Sequence, residues 1–429
     1  MKLSVACTFE DELLDGLRDY PVYEIFGKLT SDFFGGGRPS FYLPEIDKTE
    51  LEQYVRKTHN AGIEFNYLLN ASAMDNLEYS KEGQRAMNEM LGWLDEIGVD
   101  SVTVANIFFL RLIKRRHPRL KVRVSSHRFT DSPRKVRFWA ENGADYIVVN
   151  EVSIHREFDL LRTMSEAAKD AGVELQLIVN NWCRQECAIA GNHAVALSNA
   201  SQRGSKGFPL DYCSVVCNRI RVNDPVNILR ANWIRPEDIP LYEEMGFENF
   251  KIVERNTPTP ILIQRAKAYS ERRYDGNLMD LIQNYAYPEE SFGEKAKDAY
   301  SYKRMLKYFI KPHMVNLLKF TKVVEFGQHA GVLYPRKGTN PIQIDNRELD
   351  GFIDFFKTHS CRAVDCDKCR YCHEWADKVV KIDPKWRQRM EDIYDGLLDD
   401  MDSGAFWEPY WKTAKDMAGK FTSKLTGRA

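Results

Sequence analysis

Eight short apolar runs separated by amphipathic stretches constrain this chain more than any other feature. They are KLSVACTF (2–9), VYEIFGKL (22–29), EFNYLLN (64–70), SVTVAN (101–106), KVRVSS (121–126), DYIVVN (145–150), ELQLIVN (174–180) and NFKIVE (249–254). Rich in Val, Ile, Tyr and Phe, most are too continuously apolar for a sheet with one wet face. Strands buried on both faces belong to parallel sheets covered by helices. Helical spacing fills the gaps, in TELEQYVRKTHNAG (49–62), QRAMNEMLGWLDEIG (84–98), SPRKVRFWAENG (132–143) and REFDLLRTMSEAAKDAG (156–172). Each of these closes on Gly, as helix C-termini often do. RPEDIPLYEEMG (235–246) has Pro and acids where a helix N-terminus favours them. The alternation predicts an α/β fold, a TIM-type (β/α)8 barrel over residues 1–290. An open doubly wound sheet is the alternative. No G-x-G-x-x-G follows the first strand, and FFGGGRP (33–39) lacks that spacing and reads as a flexible loop.

One connection breaks the pattern. More than fifty residues separate the seventh run from the helix at 235, far beyond an ordinary βα loop. That insertion carries Cys183, Cys187, Cys213 and Cys217, as two C-x3-C pairs. Loops that follow barrel strands emerge at the C-terminal face, where active sites form. If CRQECAIAGNHAVALS is helical, Cys183 and Cys187 share one face, and Cys213 and Cys217 could do the same. Four thiolates suit a [4Fe–4S] cluster or zinc, and the position at a barrel mouth favours iron–sulfur over a structural zinc. The C-x3-C-x2-C signature of radical-SAM enzymes is absent, since Ala190 stands where its third cysteine would be.

A C-terminal region, 291–429, loses the alternation and carries a second set, Cys361, Cys366, Cys369 and Cys372. Its C-x2-C-x2-C core has ferredoxin spacing, so a second [4Fe–4S] cluster is the reading, with zinc the rival at this site too. A cluster here would relay electrons or staple the region. Cys7, the ninth cysteine, reads as a small core residue.

Polar residues at the strand ends outline a substrate pocket. Asn70, Asn106, His127, Glu151, Asn180 and Arg255 fall at or just past the C-terminal ends of their runs, as does Glu254. Amides, an imidazole, carboxylates and a guanidinium suit a small polar molecule that bears a carboxylate. The register of Lys251 is left open.

Other classes find little support. There is no H-E-x-x-H, no G-x-S-x-G and no phosphate loop. With 61 Lys and Arg against 62 Asp and Glu, no global field recruits nucleic acid or an anionic membrane. The basic stretch RLIKRRHPRLKVR (111–123) reads as a solvated face, and RNA is not the favoured substrate. The basic, amphipathic 411–429 could meet a protein partner. No signal peptide or spanning segment is evident, so a cytoplasmic protein is expected.

The barrel, the cysteines after strand seven, WIRPEDIPLYEEMGFENFKIVER (233–255) and AYSERRYDGNLMDLI (268–282) resemble the peptidase U32, or collagenase-like, family. The likeness spans roughly residues 1–290. It implies cluster-ligand roles for Cys183, Cys187, Cys213 and Cys217. Better-understood members resemble oxygen-independent hydroxylases that bind [4Fe–4S] clusters and take oxygen from prephenate. The resemblance thus implies an iron–sulfur hydroxylase of a small aromatic or quinone-like acceptor, or of an RNA base. His127 and Arg255 would orient the donor, with Glu151 beside them and Asn70, Asn106 and Asn180 binding substrate. A peptidase, as the family name suggests, is the alternative. A non-catalytic, cluster-bearing partner subunit is the third.

Overall fold

The computed structural model describes residues 1–202, 210–292, 302–311, 313–329, 336–362 and 364–412. Eight parallel strands close into a barrel in chain order, β8 pairing back onto β1. They are β1 Lys2–Ala6, β2 Val22–Gly27, β3 Glu64–Leu69, β4 Ser101–Val104, β5 Lys121–Val124, β6 Tyr146–Val148, β7 Glu174–Ile178 and β8 Asn249–Ile252. Each lies inside one of the eight apolar runs. The runs overshoot at their C-terminal ends because the chain turns there to feed a helix; Phe9, for instance, sits at φ 61°. Closure pairs Lys2 with Asn249 and Ser4 with Lys251, which settles the register of Lys251: its side chain is buried within the barrel.

The surrounding helices begin where the sequence supplies a cap. Asp47 and Glu50 form a reciprocal capping box on helix Lys48–Asn60. Ser80 and Ser132 cap helices Lys81–Glu96 and Pro133–Glu141. Gly172, at φ 68°, ends helix Phe158–Ala171.

The insertion after β7 forms helices Ala190–Asn199 and Tyr212–Asn223. Much of the chain beyond 291 supports the second of these. Helices Tyr302–Phe309, Phe320–His329 and Pro384–Asp402 share an apolar cluster with it, Val215 and Val222 meeting Phe309, Phe320, Ile393 and Leu397. The stretch from Ile342 to Ile382 joins the main core through Phe352, Phe356, Ala376 and Val379. Residues 413–429, most of the basic tail, lie outside the described residues. Among the described residues, no helix is long and apolar enough to cross a membrane.

Candidate functional site

The loops at the C-terminal ends of the strands enclose a cavity of about 270 Å³, and all four cysteines of the insertion line it. Cys183 and Cys187 are not helical, contrary to the expectation from their spacing. Their loop is tied to the one after β6. Asn181 donates to the Glu151 carbonyl at 2.8 Å and accepts from Cys183 N at 2.8 Å, while Glu186 N donates to the Val152 carbonyl at 2.8 Å. Glu186 takes a left-handed conformation, φ 48°, so a helix starts only at Ala190. Cys213 and Cys217 do lie one turn apart on a helix, whose first turn Asp211 caps by accepting from Cys213 N at 3.0 Å.

The four thiols feel one another. Cys183 interacts electrostatically with Cys217, and Cys213 with Cys187 and Cys217. Burial pushes the Cys183 and Cys213 thiols up from their ordinary range. Among the described residues, no three His, Cys, Asp or Glu side chains stand close enough to hold a single metal ion. A cubane cluster spreads its thiolates over four iron vertices and bridges a wider gap than a lone ion. The donor set, four soft sulfurs around one cavity, fits such a group. Arg221 stands by as a counter-charge. Its guanidinium lies 4.3 Å from the Trp182 ring, donates to the Trp182 carbonyl at 2.9 Å, and faces Cys217 and Cys183.

Charged groups line the same cavity. Arg38 grips Glu254 with Nε and Nη2, the latter at 2.7 Å. Arg38 arrives on the loop 33–39, which is built and not flexible as expected. Asp32 accepts from Phe34 N and Gly35 N at 3.1 and 2.6 Å, Ser201 Oγ accepts from Gly36 N at 2.7 Å, and Asn70 Oδ1 accepts from Gly37 N at 3.0 Å. A Cβ at Gly37 would come within 2.8 Å of His127, so the loop reaches the site only as glycine. Gly37→Ala is expected to displace His127 and Asn70, lowering substrate affinity with little change in Tm. Titration calorimetry beside a thermal melt checks this.

His127, Glu151 and Arg255 all line the cavity, as does Asn70. Burial, with Arg38 nearby, lowers His127 to about 3, so its imidazole is neutral at ordinary pH. Its Nδ1 lies 3.3 Å from Ser72 Oγ. Burial raises the Glu151 carboxyl and lowers Arg255 to about 10, which leaves the guanidinium charged. Arg255 is 5% exposed, and its Nη1 has no partner. Lys251, over the Phe26 ring at 3.9 Å, also lines the cavity, and burial among Arg123 and Arg255 lowers it to about 7.

Two expected substrate ligands are otherwise engaged. Asn106 caps helix Ile107–Arg116 by accepting from Phe108 N at 2.8 Å, and donates to Glu78 at 3.1 Å. Asn180 clamps β8: its Oδ1 accepts from Val253 N at 2.9 Å and its Nδ2 donates to the Val253 and Leu281 carbonyls. Neither lines the cavity. Asn180→Ala should lower stability by about 1–3 kcal/mol, because it leaves buried backbone groups unpaired; urea unfolding measures it. Arg38 and Lys251 are the site residues that strand-end reasoning did not select. The only signal for Arg38 was its place behind three glycines.

The second set of cysteines packs near the insertion, and Arg362 and Glu186, neighbours of Cys361 and Cys187, approach to 3.8 Å.

Residues 41–190 match the model of peptidase family U32. That span runs from ahead of β3 to just beyond β7. A curated relative, the "uncharacterized protease MJ1657" of Methanocaldococcus jannaschii, is 27% identical over 351 residues, 82% of this chain and 87% of that protein. The solved structure of the U32 peptidase Mk0906 is 21% identical, with a TM-score of 0.43, over 58% of this chain and 91% of that one.

Proposed function

We propose that this chain is an iron–sulfur enzyme that hydroxylates an organic acceptor with oxygen from a carboxylate-bearing donor such as prephenate. One observation carries the reading: four thiols and a buried arginine, Arg255, whose Nη1 has no hydrogen-bond partner, border the same cavity. Cys183, Cys187, Cys213 and Cys217 would hold the cluster, whose chemistry when bound is one-electron transfer or Lewis-acid activation. The rest falls to the chain's own side chains. Arg255 Nη1 and the Lys251 ammonium hold the donor's carboxylates, and neutral His127 offers a hydrogen bond. Glu254 keeps Arg38 in place against the cavity wall. The apolar wall, with Phe26, Leu68, Val148 and Ile178, takes the acceptor and limits water. As the acceptor's C–H becomes C–OH it loses two electrons, and the donor gains the same two on giving up its oxygen.

The test is anaerobic calorimetry with prephenate, followed by product analysis with candidate acceptors. Micromolar binding that falls at least tenfold in Arg255→Met supports the reading; no binding of any dicarboxylate overturns it. Lys251 adds a pH signature. It titrates near 7 among Arg123, Arg255, Glu24 and Glu151, so it is cationic below that pH and neutral above. Dicarboxylate affinity should therefore fall as pH rises through about 7, and the fall should vanish in Lys251→Met. A flat wild-type profile would remove Lys251 from the binding site.

Hydrolysis of peptides is the second reading. It is the one the curated relative favours, since that protein carries protease in its name. Within the structure its support is the Ser72–His127 contact at 3.3 Å, with no carboxylate hydrogen-bonded to the imidazole among the described residues. It is distinguished by peptide hydrolysis that survives removal of the metal and is abolished in Ser72→Ala.

A further inference from the structure

We propose that Cys361, Cys366, Cys369 and Cys372 hold an iron–sulfur cluster of their own, charge-balanced by the buried Arg156 and by Arg230.

Local hydrogen bonds fix the segments that carry the four cysteines. Asp365 caps the short turn Cys366–Cys369, accepting from Asp367 N at 3.0 Å on its side chain and from Cys369 N at 2.9 Å on its carbonyl. Arg370 follows at φ 55°, reversing the chain so that helix Tyr371–Val379 returns Cys372 toward the group. Cys361 is pinned from the barrel side. Glu157, beyond β6, accepts from Cys361 N at 2.9 Å and from Ser360 Oγ at 2.6 Å. Cys361 interacts electrostatically with Cys372 and Cys366, and Cys372 with Cys366 and Cys369.

Charge is the second, independent observation. Arg156 is 4% exposed. Its guanidinium lies over Trp233, Phe352 and Phe356 at 4.6, 5.0 and 5.1 Å. Nη1 donates to the Leu229 carbonyl at 2.6 Å, but Nε and Nη2 have no partner. A buried cation without an acceptor is costly unless a counter-charge faces it. The groups that face it include Cys372 and Cys361, with Tyr242 and Asp238. Asp238 offers it one anion; neutral thiols add none, whereas four thiolates on a metal would. Arg230, whose Nη2 lies 3.2 Å from His373, faces Cys372 as well. The first thiol set repeats the device: Arg221 stacks on Trp182, its Nε is unpartnered, and it faces Cys217 and Cys183.

The spacing selects among metals. C-x2-C-x2-C is a cluster pattern, whereas a structural zinc takes two separated knuckles. As at the first site, among the described residues no three His, Cys, Asp or Glu side chains stand close enough to hold a single metal ion.

The experiment compares anaerobically purified full-length wild type with Cys366→Ser/Cys369→Ser. Cys366 is exposed and Cys369 half-buried, so neither supports the core. Loss of roughly four iron and four sulfide per chain in the variant, with the remaining cluster's EPR signal unchanged, is the expected result. Unchanged iron and sulfide, or one zinc per chain lost in their place, overturns the proposal. Arg230→Gln and Arg156→Gln should retain the iron yet lower the midpoint potential of this centre alone, because a lost positive charge makes electron uptake harder. An unchanged potential in both would overturn the charge-balancing role. The result is separable from the cavity reading: this centre stands if its own double variant loses iron, whatever the cavity set binds.

Discussion

Glu24→Ala is expected to destabilise the protein by about 3–5 kcal/mol, the cost of stripping one partner from a buried ion pair. Glu24 and Arg123 are 1% and 0% exposed inside the barrel. Arg123 Nη1 donates to Glu24, and Nη2 donates to Tyr23 Oη at 2.9 Å. Ser4 Oγ donates to Glu24 at 2.6 Å, and Asn66 Nδ2 and Ser101 Oγ at 3.2 Å. Five strands, β1 to β5, thus converge on one carboxylate beneath the cavity. Without it, the Arg123 charge has no counter-ion and two hydroxyls lose an acceptor. The double change Glu24→Met/Arg123→Met should recover much of the loss, since apolar residues often replace a buried pair without penalty. Burial by itself would raise the Glu24 carboxyl, but the charge and hydrogen bond of Arg123 outweigh it and hold it below the ordinary range. Its contribution is therefore complete above the unfolded carboxylate value and lost as pH falls through the lower folded one. Urea unfolding of the three variants across acid pH checks both statements. A change under 1 kcal/mol in Glu24→Ala would contradict the pair's structural role.

Cys183→Ser should abolish activity while leaving the fold intact. Serine matches the size of cysteine but offers a hard oxygen where the other donors are soft sulfurs. Changes one shell beyond a metal's ligands typically cost 10–100-fold in affinity or activity, so loss of a ligand should exceed about 100-fold. Cys183 stands in a loop held by Asn181 and Glu186 backbone contacts that a serine retains. The control is Cys7→Ser. Cys7 is fully buried just past β1, its thiol pushed up by desolvation, and it is not among the cavity residues. That change should lower Tm and spare activity. Equal loss of activity in both variants would mean that Cys183 acts through folding and not as a ligand.

The fold was legible because a barrel strand buried on both faces is largely apolar, and most of the eight runs have that character, with the buried Glu24, Arg123 and Lys251 as exceptions. The site was legible in part. His127, Glu151, Arg255 and Asn70 were visible because residues just past parallel strands point into the C-terminal cavity. The same rule misplaced Asn106 and Asn180, since a strand-end amide satisfies a helix cap or a neighbouring strand equally well. Spacing also failed at Cys183 and Cys187: i, i+4 implies a shared face only in a helix, and hydrogen bonds from Asn181 Nδ2 and Glu186 N to the Glu151 and Val152 carbonyls hold this segment in a turn. Arg38 was hidden because a glycine-rich loop looks mobile until its partners Asp32, Asn70 and Ser201 are known. Asp32 is local, but Asn70 and Ser201 are distant in sequence, and only the closed barrel brings Ser201 to Gly36.

The central claim is that the four cysteines of the insertion hold a cluster in the cavity. Iron, acid-labile sulfide and zinc in the anaerobically purified protein test it most directly, wild type against Cys183→Ser/Cys217→Ser. The expected result is iron and sulfide in equal amounts, with roughly four of each lost in the variant. Stoichiometric zinc without sulfide, or a metal-free protein that still cleaves peptides, would contradict it.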